Sequence, residues 1–210
     1  PTNSQDTFVF TVNGETFTLG HDGTKTVDVM PGSYTITESG ATGYRTEILC
    51  DGDTGPTLAT MRTISLEAGD NKLCTFTNTK LGSISGTKWN DENGNGIKDE
   101  GEEPVEGVQI CIDANTNGVC DTNEVSVDTD ASGNYIFSDL LPGTYNIIEI
   151  LNEKWEQTYP AEGSHIVVLS AGEKKTDYNF GNWELKPGIQ VVKSSTTDSI
   201  TTAGQDVPYA

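Results

Sequence analysis

Met30-Pro31-Gly32-Ser33-Tyr34-Thr35-Ile36-Thr37-Glu38 recurs in the second half of the chain as Leu141-Pro142-Gly143-Thr144-Tyr145-Asn146-Ile147-Ile148-Glu149. Each copy is a Pro-Gly turn followed by an alternating strand that ends in Glu. Two further matches keep the same order. Ile64-Ser65-Leu66-Glu67-Ala68-Gly69-Asp70-Asn71-Lys72 answers to Val167-Val168-Leu169-Ser170-Ala171-Gly172-Glu173-Lys174-Lys175, and after a one-residue gap Thr75-Phe76-Thr77-Asn78 answers to Asn179-Phe180-Gly181-Asn182. A repeat on this scale means the same supersecondary unit built twice. Turn residues recur at short intervals, no helical stripe appears, and only 33% of residues are hydrophobic, so the core is thin and spread over short strands. The expectation is an all-β chain of tandem β-sandwich domains.

The repeat sets expected boundaries: a first unit over residues 1–80, a second over 81–184, and a linker with the opening strands of a third β-module, or a donated strand, over 185–210. The first unit reaches Phe8-Val9-Phe10-Thr11-Val12 almost at once and has no match for the Ile84 to Trp89 strand that opens the second. Either its first strand lies outside this sequence, or a strand from another molecule completes the sheet.

Between the repeated segments stand two stretches of twelve residues with the pattern D-x-N-x-N-G-x-x-D-x-x-E, one from Asp91 to Glu102 and one from Asp113 to Glu124. Asp91, Asn93, Asn95 and Asp99 place side-chain oxygens at positions 1, 3, 5 and 9, and Ile97 offers a backbone carbonyl at position 7. Gly96 permits the sharp turn, and Glu102 can chelate bidentately. Asp113, Asn115, Asn117, Val119, Asp121 and Glu124 repeat that set around Gly118. This spacing wraps one hard cation, so Ca2+ is the expected cofactor. A single acidic turn could carry the pattern for reasons unrelated to metal, but two full matches argue against that. The flanks are strand-like, since Val108, Ile110 and Ile112 alternate with Gln109 and Cys111, so the expected role is a structural clamp and not a helix-opening sensor.

The net charge is −20, from 32 acidic and 12 basic residues, which argues against electrostatic binding to nucleic acid or to an anionic membrane surface. Residues 81–184 hold 20 acids and 5 bases, whereas residues 1–80 hold 10 and 5, so the clamp region is the acidic one. No apolar run approaches the length needed to insert in a bilayer. Cys50 with Cys74 and Cys111 with Cys120 form two local pairs without a C-x-x-C zinc pattern. An even count beside strands favours disulfides and an oxidising, extracytoplasmic compartment, the alternative being four buried thiols in a reducing cytosol. The two histidines, His21 and His165, lack a partner pattern, no nucleophile elbow, phosphate loop or H-E-x-x-H occurs, and the expectation is that the chain is not an enzyme.

Lys88-Trp89-Asn90-Asp91-Glu92-Asn93-Gly94-Asn95-Gly96, the Glu102-Glu103-Pro104-Val105-Glu106-Gly107-Val108 after it, and Gly133-Asn134-Tyr135-Ile136-Phe137 with Leu141 to Tyr145 resemble the calcium-binding B-type repeats of serine-aspartate-repeat surface adhesins, over nearly all of residues 82–184. Residues 1–80 resemble the collagen-adhesin B-type, or prealbumin-like, domains, and the tail resembles the start of another immunoglobulin-like stalk repeat. The resemblance implies immunoglobulin-like and prealbumin-like sandwiches strung in tandem on a bacterial or archaeal cell surface or secreted filament, and adds Asp128 and Asp130 as weaker calcium candidates. It also implies a candidate intramolecular isopeptide bond in the second unit between Lys88 and Asn182, with Asn179 as an alternative acceptor and Glu149 as the acid. The first unit keeps Glu38 and Asn78 but has no lysine on Phe8 to Val12; Lys193 from a neighbouring molecule could supply one.

Three roles follow. The first is a calcium-stabilised stalk or filament scaffold that gives length, rigidity and protease resistance and whose partners are neighbouring β-modules of the same or another copy of the chain. The second is an adhesin module that binds a surface ligand, and the third a strand-donating filament subunit. Tandem repeats, clamps and disulfides favour the scaffold, and no aromatic cluster marks a binding face.

Overall fold

The computed structural model describes residues 5–186 together with 188, 189 and 192, and every regular element among them is a β-strand. The first unit holds β1 (Phe8–Val12), β2 (Glu15–Leu19), β3 (Gly32–Ser39), β4 (Tyr44–Cys50), β5 (Thr57–Leu58), β6 (Met61–Leu66) and β7 (Cys74–Lys80). They form one sheet in the order β2-β1-β3-β6 and another in the order β5-β4-β7. The second unit holds β8 (Gly82–Asn90), β9 (Gln109–Ile112), β10 (Ser126–Asp128), β11 (Asn134–Leu140), β12 (Gly143–Ile150), β13 (Trp155–Tyr159), β14 (His165–Leu169), β15 (Lys174–Lys175) and β16 (Phe180–Glu184). Its sheets run β10-β9-β12-β14 and β11-β8-β16-β13, with β15 pairing β8 in parallel.

The repeated Pro-Gly-x-Tyr segment is built identically in both units. The Tyr34 hydroxyl donates to the Met30 carbonyl at 2.7 Å, and the Tyr145 hydroxyl donates to the Leu141 carbonyl at 2.6 Å. Each tyrosine thus ties the start of its strand (β3 or β12) to the turn before it, and register along the strand follows. The β1–β2 hairpin closes through Asn13 and Gly14, with φ of 51° and 77°. Both values are left-handed, as a two-residue hairpin turn of this twist requires.

In the second unit both sheets contribute to one core: Ile110, Ile147, Val167 and Leu169 from one face Ile84, Tyr135, Phe137 and Phe180 from the other. The first unit's buried apolar set is smaller, with Phe10, Val12, Ile48 and Cys50, and Phe76 meets Phe10 edge-on at 5.1 Å between centroids.

Period two over Val108 to Ile112 is only part of the pattern found. Ile110 and Ile112 are buried as expected, but Cys111 between them is buried too, because its disulfide to Cys120 draws the second acidic loop down over that side of β9. Cys50 and Cys74 are cross-strand neighbours on β4 and β7 and are also bonded. The expected third module and Lys193 lie outside the described residues.

Candidate functional site

The first acidic stretch leaves the end of β8 and returns to it through the Asn90 amide, which donates to the Glu103 carbonyl. The second leaves β9 and is closed by the Ile112 amide donating to the Val125 carbonyl. Within each loop the same bonds recur. Asp91 accepts from the amides of Asn95 and Gly96 at 3.1 and 2.7 Å, and Asp113 accepts from those of Asn117 and Gly118 at 3.1 and 2.8 Å. The side-chain oxygens of Asn93 and Asn95 take the amides two residues on, as do those of Asn115 and Asn117. Gly96 and Gly118 sit at φ of 74° and 77°, the turn that position 6 must make.

The donor set converges. The side-chain amides of Asn93 and Asn95 both meet Asp99 Oδ2 at 2.8 Å, and those of Asn115 and Asn117 meet Asp121 Oδ2 at 2.7 and 3.1 Å. Positions 3, 5 and 9 are therefore gathered at one point in each loop. Glu102 is fixed by the amides of Glu92 and Asp99, and Glu124 by those of Ala114 and Asp121. These contacts hold the twelfth residue across the loop from the first. Ile97 and Val119 turn their side chains to solvent, so only their backbone carbonyls could serve a cation.

Asp91 and Asp113 are buried, and among the described residues neither is ion-paired with a lysine or arginine. For Asp91, burial works against the charged form, yet the backbone amides around it, Gly96 and Asn95 foremost, hold its pKa below the ordinary carboxylate range. An ionised oxygen ligand is thus kept in a dry place, which suits a hard divalent cation. Asp113 also accepts from Asn146 of β12. Asn146 escaped the sequence reading, because it comes from a distant strand and carries no spacing signal. Asp130 is engaged by the amides of Ser132 and Asn134 in the turn before β11, and Asp128 pairs with Gln109 across β10 and β9. Neither is bonded to the second loop. Cys111, Cys120 and Glu124 cluster, but both sulfurs belong to the disulfide.

Three residues before Asp91 lies a second buried group. Lys88 is 1% exposed, Asn182 is fully buried and Glu149 nearly so. β8 and β16 run in parallel with Lys88 beside Phe180, so Lys88 and Asn182 lie together while Glu149 reaches them from β12 in the facing sheet. Glu149 Oε2 stands 3.9 Å from Lys88 Nζ and accepts from Asn182 Nδ2 at 3.0 Å, and Lys88 Nζ donates to the Trp89 carbonyl at 2.9 Å. The Trp155 ring lies 5.9 Å from Nζ. Burial pushes the Lys88 amine down from 10.5 to about 8, against the pull of Glu149 and Asp91. Burial pushes Glu149 up from 4.5 to about 7, against Lys88 and the Asn182 bond. Both shifts favour a neutral amine beside a neutral carboxyl. Asn179 points elsewhere: its side-chain oxygen takes the Thr87 amide at 2.8 Å and the Thr87 hydroxyl at 3.1 Å. The structure brings Asn182, not Asn179, to Lys88. His165 packs against Tyr178, Phe180 and Tyr159 and bonds the Asn179 carbonyl, whereas His21 pairs with Asp22 at the surface.

Among the described residues no helix is long and apolar enough to cross a membrane. A model of the prealbumin-like fold domain matches residues 5–76, and a model of the SdrD B-like domain matches residues 82–199. Colossin-A of Dictyostelium discoideum is 43% identical over 68 residues, which is 32% of this chain and 1% of that protein. Serine-aspartate repeat-containing protein D of Staphylococcus aureus strain Newman is 32% identical over 117 residues, 46% of this chain and 9% of that one. Serine-aspartate repeat-containing protein F of Staphylococcus epidermidis is 30% identical over 145 residues, 67% of this chain and 9% of that one. The chain therefore spans only a small part of the curated relatives it matches. Among solved structures, the minor pilin GBS52 of Streptococcus agalactiae superposes with a TM-score of 0.38 at 16% identity, over 85% of this chain and 67% of that one. With more than half of its length matched by one family model, the chain belongs to the SdrD B-like domain family.

Proposed function

We propose that the chain is a calcium-stabilised structural module of an extracellular surface protein, serving as a length of stalk or filament scaffold. The observation that carries this reading is that two loops repeat the same hydrogen bonds from a buried Asp at position 1 through the side chains at positions 3, 5, 9 and 12. Calcium would be held by Asp91, Asn93, Asn95, Ile97, Asp99 and Glu102, and by Asp113, Asn115, Asn117, Val119, Asp121 and Glu124. It would supply positive charge among carboxylates that otherwise repel one another, so folding and binding are linked. The two disulfides support an oxidising location outside the cytoplasm.

A covalent tie fits the same purpose. With the Lys88 amine neutral, its lone pair attacks Cγ of Asn182, a C–N bond forms, the Cγ–Nδ2 bond breaks and ammonia leaves. The protonated Glu149 gives its proton to the departing nitrogen and takes in exchange the proton the amine loses, so it ends as it began. The tie is an autocatalytic, single-turnover step with no external substrate. The test of the clamp is thermal unfolding with millimolar calcium and with excess chelator, together with metal counting. A large rise in melting temperature at two or more ions per chain supports the reading; no shift and no bound metal would overturn it.

A further inference from the structure

The two acidic loops share their hydrogen bonds but not their support. Cys120 stands at position 8 of the second loop, between Val119 and Asp121, and its disulfide runs to Cys111, two residues before Asp113 at position 1. The bridge spans nine residues and ties the middle of the loop to β9, the strand from which the loop starts. In the first loop the same two places hold Trp89 and Lys98, which offer no such bond. That loop is held by packing instead. A Cβ added at Gly94 would stand 3.5 Å from the Trp183 ring, and one at Gly96 would stand 3.0 Å from the Thr158 carbonyl.

The bridge also lies against the residue that closes the loop. Cys111 is fully buried, with its Sγ 3.9 Å from Oε2 of Glu124 at position 12, and that same oxygen accepts from the Asp121 amide at 2.9 Å. In the disulfide the sulfur has no proton to give. Once reduced, Cys111 carries an S–H within reach of the closing carboxylate, and a donor there competes with a cation for it. Reduction also frees Cys120 from β9, so the loop regains conformations that the bridge removes. Cys120 is half-buried whereas Cys111 is fully buried, so an attacking thiol meets the Cys120 sulfur first.

We propose that the Cys111–Cys120 disulfide is a redox lock on the second loop: oxidised, the loop is pre-organised and holds a divalent cation tightly; reduced by a dithiol, it slackens and lets the cation go. The first loop is indifferent to the change. The cation-binding half of the proposal rests on the calcium reading above; the pre-organisation of the empty loop does not. In the exchange a thiolate of the dithiol attacks Cys120 Sγ, the bond to Cys111 breaks, and the electron pair leaves on the Cys111 sulfur, which takes up a proton. The reductant's second sulfur then attacks its first, Cys120 leaves and is protonated, and the reductant ends as a disulfide. Two electrons and two protons have passed from the dithiol to the two cysteines. Linkage makes the effect reciprocal, so whatever factor the bridge adds to cation affinity, a bound cation adds to the resistance of the bridge to reduction. A chain in a reducing compartment keeps this loop open, and an oxidising, calcium-rich exterior closes it on both counts.

The test uses the full chain with one loop silenced at a time, by Asp99→Asn with Glu102→Gln or by Asp121→Asn with Glu124→Gln. The bridge is removed in two ways, by dithiothreitol and by Cys111→Ala with Cys120→Ala, the second of which leaves Cys50–Cys74 intact. Calcium titration calorimetry is expected to show the second loop weakened roughly tenfold to a hundredfold without the bridge, the upper figure being the whole closure entropy of so short a loop. The first loop is expected to bind as before. Hydrogen exchange of the parent chain in excess chelator reads both empty loops at once: the amides of Asn117, Gly118 and Val119 are expected to be better protected than those of Asn95, Gly96 and Ile97, and to lose that advantage with the bridge. Equal calcium affinity of the second loop with and without the bridge overturns the lock and leaves the calcium reading standing. Calcium bound by neither loop of the oxidised chain overturns that reading and the release of a cation with it, and unchanged exchange of the second loop on losing the bridge overturns the pre-organisation in either case.

Discussion

Replacing Lys88 by Met separates a cross-linked second unit from an unlinked one by the sign of the effect. Without a bond, Lys88 is a buried amine whose pKa falls from 10.5 to about 8. At pH 7 that shift opposes folding by about 3 kcal/mol, at 1.36 kcal/mol per unit. Methionine has nearly the same shape and no charge, so Lys88→Met would then leave the melting temperature unchanged or raise it. With the bond in place, Lys88 and Asn182 close a loop of nearly a hundred residues, and losing that closure costs about 4–5 kcal/mol in the chain-entropy account. For a domain near this size the melting temperature then falls on the order of 20 °C. The assay is calorimetry of both proteins in calcium, with intact mass on each. A parent chain that keeps its full ammonia content, and a Met variant at least as stable, would refute the bond.

The pH profile of Asn182→Ala, which cannot form the bond, follows from the same two groups. Between 4.5 and about 7 the folded state binds more protons than the unfolded one through Glu149, so stability falls as pH rises. Between about 8 and 10.5 it binds fewer through Lys88, so stability rises with pH. Melting temperature is expected to pass through a minimum between about pH 7 and 8, and a profile without one contradicts the buried pair. Gly181→Ala should destabilise the second unit by about 1–3 kcal/mol or more, because its Cβ would stand 2.4 Å from the Trp89 ring; a denaturant midpoint equal to the parent's would show that the ring moves aside. Single-molecule stretching of the second unit should reveal a missing length if Lys88 and Asn182 are joined.

What could be read from sequence depended on how local each signal was. Each acidic loop lies within twelve residues, so its twelve-residue pattern could be read directly from the sequence. Glu149 and Asn182 were legible only through the family resemblance, with period two placing Asn182 on the face of Phe180. Longer-range facts were not visible. Parallel pairing of β16 with β8 joins residues that spacing cannot connect, and Asn146 reaches Asp113 from another strand. Cys111 broke the alternation because a covalent partner, not the period of the strand, decided its burial.

If the proposed Lys88–Asn182 tie forms, its position would matter for a module in a stalk. Load would enter the second unit at the start of β8 and leave at the end of β16, and these strands are parallel neighbours. Pulling their opposite ends shears the ladder between them, and Lys88 and Asn182 sit within that ladder. A bond there passes force directly from β8 to β16 and leaves the intervening residues unloaded. At roughly 3.3–3.6 Å per extended residue, those nearly one hundred residues represent about 300 Å of chain that would never extend. The first acidic loop begins at Asp91, whose amide donates to the Asn182 carbonyl at 2.8 Å, so a filled loop braces the ladder at the point where the tie is made. Force spectroscopy of the second unit that yields its full contour length would mean that no tie carries the load, and rigidity would then rest on calcium and the disulfides alone.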